Sequence, residues 1–203
     1  MKKTTWFALI CTAVYAVIQV VELVSHLEFR LPATLIVFVS PLVSPVLVAL
    51  HILCGKKGGK GINVLFAVAM GWLLLSSLQA LRSSLRVAMQ NPEVWSLWMF
   101  VAVDVAMAIG TVLMFVGSLQ GFRRAALLQI GAWVNAALTA AYVAVAFIGA
   151  QIVSYFERVP ESVPAVNWVV FCGFMATALF YAGLGVLAVE KKSEKALDFS
   201  AQE

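Results

Sequence analysis

The apolar positions of this chain gather into long runs separated by short polar clusters. Crossing the hydrocarbon core of a bilayer takes roughly 20 mainly apolar residues. Six stretches meet that requirement: Thr5–Ser25, Ala33–Cys54, Ile62–Arg82, Val94–Gln120, Ala125–Val153 and Val166–Val189. The breaks between them carry turn and cap signals. Pro32 falls at the first turn of the second stretch, where a missing N–H costs least. The run Gly55 to Gly61 is a glycine- and lysine-rich turn. Asn91-Pro92-Glu93 reads as N-cap, first helical residue and acidic first turn of the fourth helix. Gly121 to Arg124 and Pro160 to Pro164 close the remaining gaps.

The third helix has an amphipathic continuation past Arg82 through Leu85, Ala88 and Met89, and the fifth stretch is long enough to require tilt or protrusion. Met1-Lys2-Lys3 also resembles the start of a secretory signal. However, the run that follows is long for such a signal, contains Glu22 and has no small-residue cleavage site, so a retained first helix is expected. The pattern predicts an all-α fold, a polytopic bundle of six transmembrane helices over residues 1–190, followed by a short, frayed cytoplasmic tail, 191–203.

Composition narrows the class. Of 203 residues, 63% are hydrophobic and 12% charged, against about 45–50% and about 25% in soluble domains. A soluble enzyme, a disordered tail and a DNA-binding domain are excluded. The net charge of +4 does not point to nucleic acid, because the lysines and arginines sit between apolar runs rather than along one helical face.

Their distribution sets orientation. With the N-terminus inside, the inner segments hold Lys2, Lys3, Lys56, Lys57, Lys60, Arg123, Arg124, Lys191, Lys192 and Lys195, and the outer ones only Arg30, Arg82, Arg86 and Arg158. Cytoplasmic loops carry such an excess of basic residues. Both termini are therefore expected in the cytoplasm, with the protein in a prokaryotic cytoplasmic membrane. Trp95, Trp98, Tyr155 and Trp168 fall at the outer boundary and Trp6 at the inner one, while Trp72 and Trp133 lie deeper, between helices. Cys11, Cys54 and Cys172 are widely separated and read as packing residues. No metal or cofactor motif is present.

Three places carry candidate chemistry. Pro41 and Pro45, in Ser40-Pro41-Leu42-Val43-Ser44-Pro45, deprive two carbonyls of helical partners roughly 12–18 Å from the outer end. The second helix is expected to kink or open there. Ser40 and Ser44 either bond their own backbone in a packing kink, the favoured reading, or line a solute site in a broken helix. Asp104 lies near mid-depth on the fourth helix, where a lone carboxylate costs at least ~2.5 kcal/mol. Asn135 on the fifth helix falls at a similar depth, so the two are expected to meet, as an interhelical clamp or as part of a proton- or cation-binding site. Glu22 lies near the outer end of the first helix with His26 one turn on, and Arg82 sits at a comparable depth. A Glu22–Arg82 ion pair is one reading, and snorkelling to the interface is the favoured one. Small residues recur at four-residue spacing at Ala106/Gly110, Gly117/Gly121, Ala132/Ala136/Ala140/Ala144 and Gly173/Thr177, predicting close packing of the last three helices.

Three function classes remain. One is a small-solute or ion transporter, or the membrane subunit of one, built around the second helix and Asp104. Another is a non-catalytic scaffold, sensor or accessory subunit. An intramembrane enzyme ranks last, because no nucleophile–base pair or metal triad is readable. The expected partners are the lipid bilayer, a small solute or ion, and a protein subunit or second copy.

Overall fold

Each long apolar run folds as a helix because, in lipid, a backbone must satisfy its own N–H and C=O groups. The computed structural model describes residues 2–25, 32–54, 59–122, 125–157 and 164–200, with side chains at 2–21, 24, 41–54, 61–95, 97–119, 125–144 and 171–189. Within them are α1 (Lys3–Ser25), α2 (Pro32–Cys54), α3 (Gly59–Gln90), α4 (Trp95–Phe122), α5 (Ala125–Glu157) and α6 (Pro164–Ser200). Five of these are long and apolar enough to cross a membrane, and α2 adds the apolar segment Pro41–Cys54. Many large apolar side chains face outward, among them Val14, Val17, Val21 and Val24 on α1 and Val105, Ile109 and Val112 on α4. A surface of this kind is matched to lipid rather than water. The chain is an integral membrane protein.

Consecutive helices pack side by side, and α1 returns to pack on α6, so the six form a closed ring in which α4 also touches α6. One apolar cluster fills the part of the ring made by Ala8 and Tyr15 of α1, Val48 of α2, Phe66 and Met70 of α3, Met114 of α4, Leu128 and Ala132 of α5, and Phe180 and Leu184 of α6. Tyr15 stacks on Phe180 with ring centroids 4.8 Å apart. His51 is buried at the α2–α3 seam, its Nδ1 3.1 Å from the Ile62 carbonyl. A carbonyl only accepts, so in this contact Nδ1 carries the proton.

At the α4–α5 seam, glycines bring the two helices into close contact. A methyl group added at Gly117 would meet the backbone of Leu128, and one at Gly131 would meet the Gly110 carbonyl and Met114. One added at Gly110 would meet the side chain of Asn135, with Cγ at 2.9 Å. Without hydrophobic drive between helices in lipid, such contact is how two helices gain dispersion energy. The alanine stripe on α5 follows the seam only in part. Ala132 and Ala136 are buried, whereas Ala140 and Ala144 are exposed and the buried face continues through Thr139 and Val143. A strict four-residue step drifts around a 3.6-residue helix.

Three local expectations change. α2 is helical straight through Pro41 and Pro45, so it is not broken open. Pro45 and Ser44 are fully buried, and Ser44 Oγ donates to the Ala69 carbonyl of α3 at 3.2 Å. Asn91 does not start α4. It ends α3, its backbone N–H donating to the Val87 and Ala88 carbonyls and its Nδ2 to Val87 at 3.2 Å. Asn91 to Val94 then forms a turn closed by a 3.1 Å bond, with Pro92 at the second position, where its fixed φ fits. The Trp98 indole donates to the Pro92 carbonyl at 3.3 Å, pinning the turn to α4. Finally, α6 continues as helix to Ser200 where a frayed tail was expected.

The glycine contacts predict opposite outcomes for one substitution at two sites. Gly117→Ala should destabilise the protein by roughly 1–3 kcal/mol, because the obstructing atoms are backbone and cannot turn aside. Gly61, with nothing near its absent side chain, should accept alanine with a gain of up to ~1 kcal/mol. Thermal unfolding in one detergent, with the two variants measured side by side, checks the pair.

Candidate functional site

Away from the packed cluster the ring opens. Where α3 ends and α4 begins, α3, α4, α5 and α6 line a half-open cavity of about 530 Å³. Its walls are mainly apolar, with Val87 of α3, Leu97, Val103 and Met107 of α4 and the rings of Phe100, Tyr142 and Phe174. The aromatic residues form one continuous wall across three helices. Phe100 and Tyr142 meet edge-on at 5.7 Å, and Tyr142 meets Phe174 at 5.0 Å.

Asp104 lines this cavity, half-buried. Among the described residues no ion pair or hydrogen bond holds its carboxyl. Ser83, Ser84, Thr139 and Thr177 also line the space. Two of their hydroxyls are occupied locally, since Ser84 Oγ donates to the Leu81 carbonyl at 3.1 Å and Thr177 Oγ1 to Gly173 at 2.8 Å. Such back-bonding is the usual fate of a helical hydroxyl in an apolar medium, and Thr12, Ser76, Thr111 and Ser118 do the same. Thr139 differs. It is 2% exposed, and its Oγ1 and the Oδ1 of Asn135 are the buried side-chain polar atoms without a partner among the described residues.

Asn135 does not meet Asp104. It is fully buried against Gly110, and its Nδ2 lies 3.6 Å from the Met114 sulfur, a weak acceptor. Gly110 is six residues from Asp104 along α4, about 9 Å at the helical rise. Only residues 123–124 separate α4 from α5, so positions equally far from that connection face one another. By this register Asp104 stands level with the turn of α5 that carries Thr139 and Tyr142. The expected clamp between Asp104 and Asn135 is thus replaced by two separate features, a carboxyl in the cavity and an amide in the seam.

The other candidates lie elsewhere. Ser44 is committed to the α2–α3 seam, and α2 packs only on α1 and α3 among the described residues, so the proline-bearing helix does not reach the cavity. Arg82 is exposed on α3 and is not part of the lining. The side chains of Glu22, His26 and Ser40 lie outside the described residues, and the described parts of α1 and α3 do not pack on each other. Among the described residues no three His, Cys, Asp or Glu side chains come together as metal ligands would. Thr139, Tyr142 and the aromatic wall are site residues that spans and depths alone did not single out. No protein-family model, curated protein or solved structure matches the chain.

Two hydroxyl deletions separate a structural bond from an unused group. Ser44→Ala should cost about 0.5–1.5 kcal/mol through the lost bond to Ala69. Thr139→Val keeps the shape and removes a hydroxyl that has no partner among the described residues, so it should be neutral or stabilising. Denaturation of both variants in detergent micelles checks the contrast.

Proposed function

We propose that this protein is a small-solute or ion transporter, or the membrane subunit of one, with Asp104 as the residue that engages the solute. The chain crosses a prokaryotic cytoplasmic membrane six times with both termini inside, so the cavity opens toward the outer half of the bundle. What supports the reading is a single observation: a carboxyl deep in an apolar helix lines a cavity and has no protein partner among the described residues. A scaffold would need that carboxyl as a clamp between helices. The partner expected for that role, Asn135, is packed against Gly110 and Met114 instead. The cost of placing an acid in the membrane is then offset by ligand binding rather than by stability. The second helix, to which the sequence also gave a role, belongs in this reading to the packing of the bundle.

Flux into proteoliposomes tests the proposal, with protons, rubidium and tetraethylammonium as probes. At least one should move, and Asp104→Asn should abolish that movement while the variant still extracts and elutes as the wild type does. Unchanged flux of every probe in Asp104→Asn overturns it. Orientation is checked separately in a variant with its native cysteines replaced. A membrane-impermeant maleimide should label Glu93→Cys in intact cells and Lys192→Cys only after lysis.

A further inference from the structure

The cavity's chemistry goes further than the presence of a carboxyl. We propose that its ligand is a weakly hydrated organic monocation, of the quaternary ammonium or phosphonium type, held between Asp104 and the Phe100–Tyr142–Phe174 wall. This rests on the solute-binding reading above and names the class of solute.

Size is the first argument. A space of about 530 Å³ lies within the range that takes drug-sized molecules, and a bare ion would leave most of it unfilled. Ligand number is the second. A calcium ion takes 6–8 oxygen ligands and magnesium close to octahedral oxygen coordination. Asp104 and a few hydroxyls, two of them bonded within their own helices, do not replace such a shell. A strongly hydrated ion would therefore lose water without recompense.

Charge is the third. An anion finds no counter-charge beside Asp104 and is repelled whenever that carboxyl is ionised. A neutral apolar molecule fills the space but leaves the carboxylate unpaired and further desolvated, which is costly. An organic cation has its charge spread under an apolar surface, so it loses little hydration on entry and pairs with the acid. The rings supply the fourth. Phe100, Tyr142 and Phe174 are in mutual contact and line the same space as the carboxylate. Aromatic faces attract cations, and aromatic cages are the common receptors for quaternary ammonium groups.

Equilibrium dialysis of the full chain in detergent tests this with tetraphenylphosphonium, tetraethylammonium and rubidium, using neutral triphenylphosphine oxide as control. Both organic cations should bind saturably, and much more tightly than rubidium or the neutral control. Tyr142→Leu and Phe174→Leu should each weaken that binding by roughly 2- to 30-fold, whereas Tyr142→Phe should retain it. Thermal stability of each variant, measured alongside, separates lost binding from lost folding. Tetraphenylphosphonium binding no tighter than the neutral control, or insensitive to both leucine variants, overturns the inference. Asp104-dependent flux of protons or rubidium without organic-cation binding overturns the inference alone and leaves the transport reading standing. Loss of Asp104 dependence for every probe removes both.

Discussion

The contact of α4 with α5 sets the geometry of the whole molecule. Glycines at 110, 117 and 131 let the two backbones come together at a separation that any side chain would prevent. Lipid supplies no hydrophobic force to push helices together, so the interaction relies on many small dispersion contacts, each lost steeply with a slight increase in distance. That contact locks the register of the hairpin. The register in turn decides which turn of α5 faces Asp104, and so whether the carboxyl meets an amide or an open space with an aromatic wall.

The ring has two unlike ends. Around Phe66, Met70, Met114 and Phe180 the helices enclose a continuous apolar cluster. Around Asp104 the same helices separate enough to leave a cavity. The change occurs near Asn135, a fully buried polar residue with one unpartnered oxygen. Large apolar side chains fill the first end, while rings at the second stand along a wall instead of meeting across the centre. The prolines of α2 belong to neither feature. They sit in a seam where a buried serine bonds to the neighbouring backbone, which is how helices in lipid accommodate an imino residue.

The helices themselves were legible in the sequence, because hydrocarbon thickness imposes a length that apolar runs must meet. Their starts, at Pro32, Ala125 and close to Val94, lie within a residue or two of expectation. The third helix does continue past Arg82, to Gln90. Asp104 stood out for the same reason, as an acid in an apolar run. What failed was the pairing of depths. Counting Asp104 from one membrane face and Asn135 from the other compounds two uncertain boundaries, whereas counting both from the two-residue gap at 123–124 shows that they are far out of step. Asn91 misled because one residue type caps both helix ends, and only the hydrogen bond to Val87 tells which. Tyr142 and Phe174 could not be singled out, since an aromatic residue in a membrane helix is ordinary until its neighbours across the seam are known.

A bundle built in this way is mechanically uneven. Close-packed interiors resist compression and switch between discrete arrangements rather than deforming smoothly. The glycine-locked, apolar end therefore behaves as a stiff base, and compliance is concentrated in the turns around the void. On the solute-binding proposal, a motion admitting a ligand would pivot near the Gly110–Asn135 contact, where close packing gives way to the cavity.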